Sequence, residues 1–298
     1  MTNMSKTILF FGTDLFSAAA LRSLIEAEYT IGAVITKPDS KSGRGQKLTK
    51  PLVKQIAEAH GIPVWQPTKL LDISNDIKAF NTASNEVVGV LSSFGRIIPQ
   101  SIIDLFPLGI INIHPSLLPL YRGPSPIETT IENGDQQTGV SIMKLSAEMD
   151  AGPIFAQQVY TLDGTETQPY LYETLAELGG RMLIETLPEI LDGQLVAAAQ
   201  QAGAVYCHLL EKAAALINPA EITAVEAERK VRAHLDFPKT KLTIHGQLVI
   251  ITKAHVSNET TDLSVAFKAG QFLIIDELIS PSGRRMSGQA FLNGYAAD

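Results

Sequence analysis

Residues 7–12 read TILFFG, an apolar run closed by glycine, and residues 17–27 follow with the apolar spacing of a helix. The β-branched run 31–35 comes next. A strand, a helix and a strand in so short a span leave little choice. A helix crossing one face of a sheet between them points to parallel strands and a right-handed crossover. The alternation continues, with helical spacing at 51–60, a strand at 63–66 and a helix at 72–83. Residues 86–92 are apolar enough for a central strand buried on both faces. Further strands are expected at 109–114, 139–145 and 154–160, then a helix at 170–191 with Gly179 and Gly180 as a weak point.

The chain has 298 residues, enough for two domains. Residues 193–206, rich in Ala, Gln and Gly, read as a linker between a domain at 1–192 and another at 207–298. The second is expected to hold a helix at 224–235 and strands at 241–244, 248–253, 263–266 and 272–278, the pattern of a small barrel or sandwich. Hydrophobic residues form 45% and charged residues 18%, which excludes a disordered or fibrous chain. No apolar run reaches the roughly 20 residues that a bilayer requires, and residues 8–11 are too few for a signal-peptide core. With Cys207 as its one cysteine, the chain has no internal disulfide and no cysteine-rich zinc site. A cytoplasmic location and a monomer are the expectations.

Gly12 follows a strand without GxGxxG spacing, and SGRGQKLTK holds glycine and lysine in the wrong order for a phosphate-cradling loop. A nicotinamide or nucleoside-triphosphate site is therefore not expected. An open parallel sheet still offers a crevice at the carboxyl ends of its strands. Net charge is −7, yet residues 37–54 carry Lys37, Lys41, Arg44, Lys47, Lys50 and Lys54 against Asp39 alone. Residues 207–298 balance ten Lys/Arg against ten Asp/Glu. A basic loop on an acidic body is either a solvated surface or a steering patch for a phosphate-rich partner.

After the strand at 109–114 the chain reads NIHPSLLPLYRGPSP. Asn112 and His114 are two apart, so an extended strand turns both to one face. Pro115 and Pro119 then end the sheet interior. A polar pair at the end of a buried strand is either a satisfied structural pair or a site, and the rigid loop favours a site. Asp150, in an MDAG turn between two apolar runs, is a turn former or a carboxylate placed to orient the imidazole.

Together, NIHPSLLPLYRGPSPI and TGVSIMKLSAEMDAGPI resemble the folate-dependent formyltransferases, through Asn112, His114, Ser116, Leu117, Leu118, Pro119, Arg122, Gly123 and Asp150. FFGT near the start and SSFGRIIP at 92–99 are similar to the same family. The loop TKPDSKSGRGQKLTKP and the segment VYCHLLEKAAALINP look like those of members that formylate methionyl-tRNA. Asp14 departs from the family, which commonly has proline there, and the neutral charge of residues 207–298 departs from the family's basic surface.

The resemblance implies a Rossmann-like open parallel sheet followed by a small OB-like β-barrel that helps bind tRNA. It implies 10-formyltetrahydrofolate as co-substrate, initiator methionyl-tRNA as partner, and no metal. Asn112, His114 and Asp150 are then the catalytic set. Asn112 would donate to the oxyanion, His114 would donate or manage protons, and Asp150 would hold His114. Folate contacts are expected from Leu91, Phe94, Gly95, Ser116, Leu117, Leu118, Pro119 and Ile142, with Leu91, Ile97 and Ile142 equally readable as core. Lys41, Arg44 and Lys47 are the expected tRNA contacts. The rival reading is an N-formyltransferase of amino-sugar nucleotides using the same trio.

Overall fold

The computed structural model describes residues 5–42, 47–82, 84–260 and 263–295. It divides into two compact units, Met1–Pro124 with Thr138–Tyr160 and Tyr172–Tyr206, and Ser125–Gln137 with Thr161–Leu171 and Cys207–Asp298.

In chain order, the first part runs β1 (Ser5–Phe11), α1 (Leu15–Glu26), β2 (Ile31–Ile35), β3 (Ser40–Ser42), β4 (Lys47–Thr49), α2 (Leu52–Ala59) and β5 (Val64–Trp65). It continues with α3 (Ser74–Phe80), β6 (Asn85–Ser92), α4 (Gln100–Ile103), β7 (Ile110–His114), α5 (Pro126–Asn133), β8 (Gln137–Lys144), β9 (Ile154–Thr161) and α6 (Gln168–Leu191). Seven strands form one sheet in the order β5-β2-β1-β6-β7-β8-β9, and β3 with β4 forms a separate antiparallel hairpin. The pairs β5–β2, β2–β1, β1–β6 and β6–β7 are parallel, as the opening β-α-β pattern predicts. The sheet is not parallel throughout, because β8 runs antiparallel to β7. A helix between two strands makes a parallel return available without requiring it, so the sequence spacing alone did not reveal this reversal.

The core on one side of the sheet gathers Leu9, Phe11, Ile35, Leu91, Phe94, Ile102, Phe106 and Ile110. Phe11 meets Phe94 and Phe106 edge-on, with ring centroids 5.6 and 5.9 Å away. Each large apolar side chain so buried contributes roughly 1.5–3 kcal/mol. Helix α6 runs unbroken through Gly179 and Gly180, against the expected weak point. A Cβ at Gly179 would lie 2.7 Å from Ile113 Cγ2, and one at Gly180 2.6 Å from Ser23 Oγ. The two glycines let α6 approach β7 and α1, which outweighs their poor helix propensity.

Residues 193–206, expected as a linker, are bonded along the first unit. Ala198 exchanges backbone hydrogen bonds with Ile154 at 2.7 and 2.8 Å, and Val205 N–H donates to Pro119 at 3.1 Å. The second unit contains α7 (Ala224–Ala233), β10 (Lys241–Ile244), β11 (Gln247–Ser257), β12 (Ser264–Ala266), β13 (Phe272–Ile279), β14 (Arg285–Ser287) and α8 (Gly288–Tyr295). Its antiparallel sheet runs β10-β11-β13-β12, with β14 also on β13, which is a small β domain. Helix α7 starts on a reciprocal Thr223–Glu226 capping box and buries Ala227 and Val231 against Leu242, Val249 and Leu278.

Candidate active site

Strand β7 is buried along its length, with Leu91 beside Asn112 on one flank and Met143 on the other. Alternation puts Ile113 on the face packed by Gly179, and Asn112 and His114 on the opposite face. Asn112 is 4% exposed and His114 5%. Among the described residues the Asn112 side chain makes no hydrogen bond, and neither of its amide atoms is one of the buried polar atoms left without a partner.

His114 is fixed from both sides. Its Nε2 lies 3.0 Å from the Tyr121 carbonyl oxygen. That oxygen can only accept, which assigns the hydrogen to Nε2. Nδ1 then faces the Asp150 carboxylate, 3.8 Å from Oδ1. This gap is longer than a hydrogen bond and within electrostatic reach.

Asp150 occupies left-handed backbone, φ 47°, a conformation Asp tolerates better than most residues. Its Oδ2 accepts from the Gly123 N–H at 2.8 Å, and its carbonyl accepts from Gln200 Nε2 at 2.7 Å. Gly152 lets the loop close, since a Cβ there would stand 1.8 Å from the Lys144 carbonyl oxygen. The neighbouring Arg122 donates to Gln200 Oε1 at 2.8 and 3.1 Å and to the Tyr206 hydroxyl at 3.2 Å, and its guanidinium stands 5.8 Å from the Tyr206 ring centre. Arg122 thus anchors the loop that carries Tyr121 and Gly123.

The proposed folate contacts divide. Leu91, Phe94 and Ile142 are buried, at 9%, 1% and 0% exposure. Ile97, by contrast, is 78% exposed. Ser116 Oγ donates to Leu120 and its carbonyl accepts from Ser141 Oγ, both at 2.6 Å. Leu118 N–H donates to Ser141 Oγ at 3.1 Å, and the Leu118–Pro119 peptide is cis. Leu117 and Pro119 are half-buried, and Gly95 has φ 65° with the Lys37 side chain against it. Lys41 is exposed on β3. Lys47 starts β4, and Arg44 lies outside the described residues.

Sequence reasoning missed Tyr121, whose carbonyl fixes the imidazole, and Gln200, which ties the Asp150 turn. Gln200 lay in a segment without periodicity and gave no signal. Tyr121 has φ 57°, a strain visible only in the backbone.

A formyl transferase family model matches residues 5–187. The methionyl-tRNA formyltransferase of Janthinobacterium sp. (strain Marseille) is 37% identical, covering 98% of each chain. That of Lactobacillus delbrueckii subsp. bulgaricus is 35% identical, over 97% of this chain and 95% of its own. Among solved structures, an N-formyltransferase from Helicobacter canadensis, in complex with folinic acid and dTDP-3-aminofucose, aligns at TM-score 0.61 and 18% identity, covering 95% and 97% of the two chains. HypX from Aquifex aeolicus, in complex with tetrahydrofolic acid, aligns at TM-score 0.66 and 15% identity over 98% of this chain, which spans 47% of that protein's length. The structural likenesses establish the fold, and sequence identity over nearly the full length goes further. The chain belongs to the formyl transferase family, among its methionyl-tRNA formyltransferases.

Proposed function

We propose that this chain transfers the formyl group of 10-formyltetrahydrofolate to the α-amine of methionine esterified to initiator tRNA. The observation that carries the reading is the Asn112 amide, which makes no side-chain hydrogen bond among the described residues, beside an imidazole whose Nε2 is already engaged. The amine nitrogen attacks the formyl carbon, forming a C–N bond and a tetrahedral intermediate with a negative oxygen. The Asn112 amide donates to that oxygen; one such donor is typically worth about 3–4 kcal/mol. The amine becomes cationic on attack, and His114 Nδ1 receives its proton.

As the ring turns cationic, Asp150 Oδ1 at 3.8 Å stabilises it. At an effective dielectric constant of about 20, such a pair interacts by about 4 kcal/mol before solvation costs. Collapse of the intermediate breaks the bond to the folate nitrogen, which leaves with the proton returned by His114. Tetrahydrofolate and formylmethionyl-tRNA are the products. Lys41, Arg44 and Lys47 supply phosphate contacts, and the backbone at Gly95 and Leu117–Pro119 borders the folate.

The test offers the purified chain labelled 10-formyltetrahydrofolate with either methionyl-tRNA or an amino-sugar nucleotide. Label in acid-precipitable RNA supports the reading. Label in the sugar nucleotide alone overturns it.

A further inference from the structure

Phe11 at the end of β1 pairs with Leu91 on β6, so residues 12–14 and 92–95 leave the sheet side by side. Ser92 pairs with Ile113, which brings Ser93 out of the sheet beside His114. The segment 92–95 is held in an unusual way. Ser93 has φ 42° and Gly95 φ 65°. Ser17 Oγ donates to the Ser92 carbonyl at 2.6 Å, and Thr13 Oγ1 donates to the Phe94 carbonyl at 3.0 Å.

Asp14 is the hub of this arrangement. Its Oδ1 caps α1, accepting from the Ser17 N–H at 3.3 Å. A cap needs nothing more. Yet Oδ2 also accepts from the Ser93 hydroxyl and, at 2.7 Å, from the Tyr172 hydroxyl. Those two bonds do nothing for the helix end. They tie a serine in left-handed backbone, which only glycine adopts without penalty. Phe94 points into the core, so the segment can meet a ligand only through its backbone and through Gly95.

We infer that Asp14 is a positioning residue for the folate, holding Ser93 left-handed so that the backbone of residues 93–95 keeps its fit to the ligand. The inference rests on the reading that the folate binds at these strand ends. Asp14→Ser separates the two roles of the residue, because serine still caps a helix but is too short to reach Ser93 and Tyr172.

The variant is expected to raise KM for 10-formyltetrahydrofolate about tenfold, the effect of losing one or two charged hydrogen bonds, with kcat and KM for methionyl-tRNA within about twofold. Adding Ser93→Gly is expected to restore most of the loss, because glycine takes that backbone unaided. Unchanged folate KM overturns the inference. So does a loss spread evenly over kcat and both KM values without rescue by Ser93→Gly, which marks a merely structural role. Tetrahydrofolate binding, followed by fluorescence quenching, separates the two readings. A wild type that fails to bind it refutes the folate site itself, whereas equal binding by wild type and Asp14→Ser refutes only the role of Asp14.

Discussion

His114 Nε2 donates to the Tyr121 carbonyl oxygen at 3.0 Å, so the ring turns Nδ1 and not Nε2 toward Asp150. Asp150, 3.8 Å from that Nδ1, stands beside the nitrogen to which the proposed mechanism gives the proton. Two kinds of change at Asp150 should separate charge from scaffold.

Asp150→Asn keeps an acceptor for the Gly123 N–H and tolerates left-handed backbone, but removes the charge. It should fold normally and lose about 10²–10⁴ in kcat. Asp150→Ala should lose similar activity and also melt lower, because both the acceptor and the backbone tolerance go. Thermal melts alongside steady-state kinetics check the ordering; equal melting of the two variants contradicts it.

Gly179→Ala pushes a methyl group to within contact of Ile113, the residue between Asn112 and His114. Overpacking of this kind costs about 1–3 kcal/mol, and here it bears on the strand that carries the site. Turnover should fall well below what partial unfolding explains. A variant that loses stability yet keeps full kcat in its folded fraction counts against this coupling.

Within the second unit, Glu128 and Glu132 on α5 should respond to pH with opposite signs. Burial raises the Glu128 carboxyl above its ordinary 4.5. Its contribution is then present below 4.5 and lost as pH rises through the raised value. Burial also opposes ionisation of Glu132, but the hydrogen bond and charge of His234, with Lys230, hold that carboxyl below 4.5. Its contribution is present above 4.5 and lost as pH falls. Glu128→Gln should therefore raise the melting temperature near pH 7, and Glu132→Gln should lower it there and flatten the acid limb. Melting curves across pH decide both signs.

The basic loop should reveal itself through salt. Replacing Lys41, Arg44 or Lys47 by alanine should weaken tRNA binding and reduce the slope of log K against log salt by about 0.7–0.9 per lost phosphate contact. Folate KM should stay put. Binding titrations at several salt concentrations measure this, and an unchanged slope reassigns the loop to plain surface.

What could be read from the chain follows from where the information is stored. Strand β7 was legible because alternation alone puts Asn112 and His114 on one face, and Pro115 ends it. Asp150 was legible as a turn, although only the fold brings it to the imidazole. The reversal of β8 was not legible, because the intervening α5 and its loops suit either strand direction. Nor was the service of Gln200 and the Tyr121 carbonyl, which depends on chain segments 50 and 7 positions from their partners. Leu91, Phe94 and Ile142 were apolar in either role, and their burial was legible from that alone. Asp14 stood out only as a departure from the family's proline, and its reach to Ser93 and Tyr172 appears only once β1, β6 and α6 are assembled.

The most direct test of the account measures formyl transfer from 10-formyltetrahydrofolate to methionyl-tRNA by Asn112→Ala and His114→Ala at saturating substrates, with circular dichroism on the same samples. Wild-type folding is expected, with kcat lowered by about 10²-fold or more in each variant. Near-wild-type turnover in both variants would contradict it.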